Sequence, residues 1–267
     1  VGTGKNNKER VLEACRRVNG AIRLSGSVQS TDPEVLANIK RSNIDIQQLI
    51  DLADRANDIG TNSYAEVILG LPGDSAEKHL KSVETLVDAG FSDVWMFQLM
   101  MLPGAEVATP EVRKQYRMGT QYRVVPRSFG NYSVGDGENI VTAEIEEIVT
   151  SLSSLTFEEY LYCRRFNLMV TIFYNDGVFQ GLLKLLQHFD ISRYAWIKAI
   201  FDHEYPGELA RTIDDFIRDT KEELWDSRDE LVAFTRKPET IEKYINDELG
   251  ANLIFKYKAL ATSGHLR

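Results

Sequence analysis

Three short apolar runs, each closed by a chain breaker or a polar turn, constrain this chain most. Tyr64–Leu69 stops at Gly70-Leu71-Pro72-Gly73, and Asp93–Leu99 stops at Leu102-Pro103-Gly104. Ala21–Val28, entered through Asn19-Gly20, runs into Gln29-Ser30. Helical periodicity fills the stretches around them. Lys8–Val18 is one such stretch. In the next, Val35, Leu36 and Ile39 follow Asp32-Pro33, with Thr31 and Glu34 at capping-box spacing. Ile46–Ile59 ends at Gly60, and Ser75–Ala89 puts Leu80, Val83, Leu86 and Val87 on one side before Gly90. A strand joined to the next through a helix pairs parallel to it, with the helices outside. The repeat, roughly 30 to 45 residues per unit, is that of a (β/α) barrel.

The remainder reads differently. Residues 106–142 are loop-rich, with a short strand at Arg123–Val125 before Pro126 and turns at Gly130, Gly135 and Gly137. From 143 to 267 the pattern is helical. Thr156-x-x-Glu159 opens a helix to Asn175, and further helices lie near 178–189, 192–203, 207–233 and 239–260. Charges crowd Glu208–Val232, which reads as a solvated helix face. The fold class is therefore α/β: a partial (β/α) barrel over 1–105, a connector over 106–142 and a helical region over 143–267.

With 43% apolar residues in 267, a sizeable core can form. A formal charge of −9 disfavours a nucleic-acid partner, which needs a basic face. No apolar run approaches the ~20 residues of a membrane-crossing helix. The two cysteines, Cys15 and Cys163, are 148 residues apart and sit in apolar, helical surroundings. They read as buried inert thiols in a protein of the reducing cytoplasm. The start at Val1, without Met, reads as an excised piece of a longer protein.

Chemistry in parallel α/β folds sits at the C-terminal ends of strands. That rule selects three places. After the first strand comes Gln29, which can donate and accept, with Arg41 twelve residues on. The bland alternative has Gln29 bonding loop backbone and Arg41 complementing its helix dipole. In the second strand Glu66 is an acid inside an apolar run, which needs a ligand, a cation or a structural arginine as partner. Gly70 and Gly73 let backbone approach a ligand, or simply make a tight turn. At the third strand's end, the apolar Leu99 and Met100 could floor a ring or belong to the core.

Taken in order, Ser27–Arg41 (S-V-Q-S-T-D-P-E-V-L-A-N-I-K-R), Glu66–Ser75 (E-V-I-L-G-L-P-G-D-S) and Asp93–Glu106 (D-V-W-M-F-Q-L-M-M-L-P-G-A-E) resemble the second half of a radical S-adenosylmethionine (SAM) enzyme. In particular they resemble members with a B12-binding domain before the barrel. The resemblance covers 1–105, weakens over 106–170 and is absent beyond. It implies three parallel strands of a radical SAM-type barrel. It also implies that Gln29 meets the SAM ribose or methionyl part and Arg41 its carboxylate, by a two-point contact. Glu66 would lie near the ribose hydroxyls, and Ile68, Gly70, Leu99 and Met100 beside adenine. The intact protein would bind a 4Fe–4S cluster and SAM, form a 5′-deoxyadenosyl radical for substrate modification, and possess, in B12-type members, cobalamin.

One departure is large. The family's C-x3-C-x2-C loop, which ligates the cluster, is not in this chain, and two distant cysteines do not replace it. The chain alone is thus expected to hold no cofactor and to be inactive. Two other readings stay open. One is a non-catalytic interaction or regulatory protein with a degenerate half-barrel. The other is an ordinary barrel enzyme, weakened because His79, His188, His203 and His265 fall in helices or at the terminus. A half-barrel also leaves a strand face uncovered, built of Ile22, Leu24, Val67, Leu69, Trp95 and Phe97 or of the alternate set. Self-association of the fragment is expected from it.

Overall fold

The computed structural model describes residues 8–18, 21–42, 46–58, 60–135, 137–204 and 207–264. Asn19-Gly20 and His265, both used above, lie outside them. In chain order the elements are α1 (Lys8–Arg17), β1 (Leu24–Ser25), α2 (Pro33–Asn38), α3 (Ile46–Asp58), β2 (Ser63–Leu69), α4 (Ala76–Asp88) and β3 (Asp93–Gln98). There follow α5 (Pro110–Tyr116), β4 (Gly119–Ser133), β5 (Asn139–Ser151), α6 (Phe157–Phe173), α7 (Gln180–His188) and α8 (Arg193–Phe201). The last four are α9 (Glu208–Glu222), α10 (Arg228–Thr235), α11 (Pro238–Ile245) and α12 (Leu253–Gly264). None of the described helices is long and apolar enough to cross a membrane.

These elements form two compact units. The first joins Val1–Gln98 to Glu158–Glu204. Its sheet has the order β1-β2-β3, all parallel, as the crossover lengths require. Asp32, not Thr31, caps α2: its carboxylate accepts from the Val35 amide at 2.9 Å, and the Thr31 hydroxyl donates to Ser82 instead. Ser75, read above as the first helical residue, is the N-cap of α4. α6 is buried almost all round, from Tyr160 to Phe173.

β1 is shorter than the run Ala21–Val28 predicts. Only Leu24 and Ser25 pair with β2, and the chain touches β2 again at Gln29, opposite Val67. Gly26 lies against the Phe91 ring, where an added Cβ would come within 2.8 Å, and Gln29 takes a left-handed φ of 65°. The Gly26 amide still donates to the Tyr64 carbonyl at 2.7 Å, and the left-handed Gln29 turns the backbone off the strand path.

The register separates two faces. Glu66 stands beside Trp95 and Ile68 beside Phe97, while Ala65 stands beside Val94 and Val67 beside Met96. Ala65, Val67 and Leu69 are fully buried, whereas Tyr64, Glu66 and Ile68 are partly exposed. Val67 and Leu69 therefore do not share a face with Trp95 and Phe97, as one of the groupings above supposed. The more open face carries Glu66, Ile68, Trp95 and Phe97, the last 46% exposed.

The second unit, Leu99–Phe157 with Tyr205–Arg267, departs furthest from expectation. A long antiparallel hairpin, β4 with β5, occupies residues read as a connector and as the start of a helical region. Its ladder is interrupted between Val124 and Phe129, which is where Pro126, lacking an N–H, is tolerated. Val124, Leu231, Ile241 and Tyr244 form its core with Val141, Ala143 and Ile145 packed against them. The stretch read as one helix over 207–233 breaks into α9 and α10. Between them Trp225 exchanges two backbone hydrogen bonds with Tyr122, each 2.8 Å. Likewise 239–260 divides into α11 and α12.

Candidate functional site

At the C-terminal end of β2 the sheet brings three of the sequence-selected residues together. The Gln29 amide donates to the Glu66 carbonyl at 2.6 Å, and the Ile68 amide donates to the Gln29 carbonyl at 2.8 Å. Gln29 is thereby held alongside Glu66 and Ile68. Its left-handed backbone is tolerated because both of its backbone polar groups are paired. The Glu66 side chain lies on the more open face, beside Trp95, rather than among the fully buried residues of the other face.

Arg41 is held by the same loop. Its guanidinium donates to the Ser27 carbonyl, so one of its donors serves the turn after β1. This is a structural bond to loop backbone, not the helix-dipole role that the bland alternative gave Arg41.

Gly70 follows β2 with φ 88°, a conformation natural to glycine, and Gly73 has φ 80°. The turn between them is tied at several points. The Asn38 amide donates to the Pro72 carbonyl at 3.0 Å, and Lys78 donates to the Gly73 carbonyl at 3.0 Å. A Cβ at Gly73 would meet Asn38 at 2.5 Å, so this approach excludes larger residues unless Asn38 moves.

Asp74 directly follows the Gly70–Gly73 turn. It is 1% exposed, and its two carboxylate oxygens accept from the Gly70 amide at 3.0 Å and the Ser75 amide at 2.9 Å. Burial pushes its carboxyl up to about 7, against the pull of those two amides and of Lys78. The available signal was an acid directly before a serine N-cap.

Leu99 and Met100 follow β3 directly in the chain but belong to the second unit. There the Leu99 carbonyl accepts from Val149 at 2.9 Å and Met100 bridges Ile148. Leu99 is 8% exposed and Met100 42%.

His79 is a packing residue, as its helical position suggested. It is buried against Asn167, 3.1 Å away, and burial lowers its imidazole to about 4. A polar cavity of about 1170 Å³ opens near the start of β3, lined by Arg23, Asn62, Ser92, Asp93 and Tyr174 among others. It lies at the strands' N-terminal ends, away from the motifs, and Arg23 is already paired with Asp93.

Neither cysteine suits a cluster. Cys15 in α1 and Cys163 in α6 are fully buried and unbridged, and burial pushes the Cys163 thiol well above its usual range. Cluster iron takes thiolates set close together. Among the described residues no group of three or more His, Cys, Asp or Glu could hold a metal ion. The residues of this chain do not fit a 4Fe–4S cluster.

No family model matches the chain. It is 30% identical over 219 residues to 2-(S-pantetheinyl)-carbapenam-3-carboxylate methyltransferase of Streptantibioticus cattleyicolor, covering 80% of this chain and 31% of that protein. It is 35% identical over 124 residues to the cobalamin-dependent radical SAM methyltransferase TokK of Streptomyces tokunonensis, covering 45% of this chain and 18% of that protein. The chain thus spans less than a third of the length of these relatives. Among solved structures, coproporphyrinogen III oxidase of Escherichia coli, a radical SAM enzyme, is similar over 43% of this chain and 25% of its own, at 25% identity and a TM-score of 0.35.

Proposed function

From the chain's homology to radical SAM methyltransferases, we propose that it is the SAM-side portion of a larger, cobalamin-dependent enzyme of that kind. The observation that carries the reading is the backbone pairing of Gln29 with Glu66 and Ile68 toward the C-terminal end of a parallel strand, with Glu66 and Ile68 on a face shared with Trp95 and Phe97. A carboxylate beside flat apolar side chains suits a nucleoside: the acid accepts from ribose hydroxyls while apolar surface covers the base. Ile68 and Gly70 are assigned to adenine, and Gln29 to the ribose or methionyl part. Arg41 is assigned to the carboxylate. Cluster ligands and the cobalamin site are assigned to the rest of the intact protein. The isolated chain, with its uncovered strand face, is assigned no activity and a tendency to pair with a second copy. Its compartment is assigned as cytoplasmic on the two buried, unbridged thiols.

The test is SAM affinity of the intact protein by calorimetry, with and without Glu66→Gln. Loss of one charge-assisted hydrogen bond predicts roughly tenfold weaker binding. Unchanged affinity would remove Glu66 from the site. The reading as a non-catalytic interaction protein has no specific observation in its favour.

A further inference from the structure

We infer that Asp74 is a positioning residue of the nucleoside site, setting the backbone course of the 70–75 turn and with it the placement of Ile68 and Gly70. The inference rests on the SAM reading of Glu66, Ile68 and Gly70.

The geometry is that of a clamp. One carboxylate oxygen holds the amide of Gly70, the first residue after β2, and the other holds the amide of Ser75, the cap of α4. The two ends of a turn with left-handed Gly70 and Gly73 are thereby fixed to one side chain. The Asp74 amide also donates to the Leu71 carbonyl at 2.8 Å, which closes the turn on itself. Neither oxygen faces solvent, since the residue is 1% exposed. A buried carboxylate is costly unless its lone pairs are used, and here both oxygens accept from backbone at the end of the strand bearing Glu66.

The charge state of this clamp changes near neutrality. Facing Asp74 are Lys78 of α4, which favours the carboxylate, and Asp32 at the cap of α2, which opposes it. Cys163 of α6 is a neutral neighbour whose own thiol is raised in part by Asp74. Desolvation outweighs these influences and raises the carboxyl to about 7. A carboxyl raised in this way costs least when protonated, so the hold of the clamp weakens as pH rises through about 7.

The experiment compares wild type, Asp74→Asn, Asp74→Glu and Glu66→Gln in the intact protein. Affinity for S-adenosylhomocysteine, an analogue with no transferable methyl, is measured by calorimetry from pH 6 to 8.5. Hydrogen exchange is followed in peptides spanning 66–76. In wild type, affinity and protection should fall together as pH rises through about 7, by roughly tenfold. Asp74→Asn should bind roughly tenfold more weakly at pH 6 with no pH dependence of its own, and Asp74→Glu should restore part of both. Weaker binding in Glu66→Gln, with wild-type affinity and pH profile in Asp74→Asn, overturns the positioning role and leaves the site standing. Unchanged binding in both variants overturns the site reading and the role with it. Should Asp74→Asn not fold, a flat wild-type profile between pH 6 and 8 overturns the inference.

Discussion

Asn175 offers the sharpest test of how the first unit is held together. β3 is an edge strand of the three-stranded sheet, and edges normally leave backbone groups unpaired. Here the Asn175 carboxamide stands in for a neighbouring strand. It accepts from the Val94 amide and donates to the Val94 carbonyl, each at 2.9 Å, with Asn175 4% and Val94 0% exposed. Asn175→Ala leaves two buried backbone groups without partners. Each orphan costs about 1–3 kcal/mol, so the pair amounts to about 2–6 kcal/mol against a typical domain stability of about 5–15 kcal/mol. Asn175→Asp retains an acceptor for the amide but turns a lone pair toward the carbonyl, so it should recover little. Equilibrium urea unfolding supplies the stability difference, and amide exchange at Val94 localises it. The expected result is a loss of at least about 2 kcal/mol with fast exchange at Val94. A loss under about 0.5 kcal/mol, with Val94 still protected, would refute the edge-pairing argument.

Two further outcomes follow from the same geometry. His79 stays neutral in the folded protein down to about 4, whereas an unfolded histidine takes its proton near 6.5. Its stabilising contribution is therefore complete above pH 6.5 and lost as pH falls toward 4, roughly 3 kcal/mol in all. Asp74 has the opposite sign: raised from 3.8 to about 7, it loses stability as pH rises through that interval. Over pH 4 to 6.5 the two nearly offset one another in wild type. In His79→Gln only the Asp74 slope survives, so the variant should lose roughly 3 kcal/mol relative to wild type across that window; parallel unfolding curves would contradict this. Separately, sedimentation of the isolated chain at micromolar concentration should show a species heavier than the 30.3 kDa monomer, and a clean monomer would show that the uncovered strand face does not pair copies.

Much of the candidate site was legible because its signals are local. Gly70, Pro72 and Gly73 end a strand whatever surrounds them, and the Asp32-Pro33 and Ser75 starts announce helices through short-range capping. Crossover length alone dictates parallel pairing of β2 with β3. Gln29 and Glu66 followed from these, since strand ends are where such folds expose polar groups, whereas Ile68 came from the family resemblance alone.

Other features depended on residues far apart in sequence. Ile145, Ile148 and Val149 have helical spacing, yet Val141, Ala143 and Ile145 alternate as a strand, and only pairing with β4 decides between the two. The helical stretch at 207–233 carries no breaker at Trp225, and the interruption comes from its backbone exchange with Tyr122, about a hundred residues earlier. Nor could periodicity tell that Glu66 stands beside Trp95 while Val67 faces the other way, because a one-residue slip in register reverses every side chain. Asp74 and Asn175 are the same case at the level of single groups. Their sequence neighbours mark turns, but the amides they hold are buried only once the chain has packed, and that burial gives each hydrogen bond its weight.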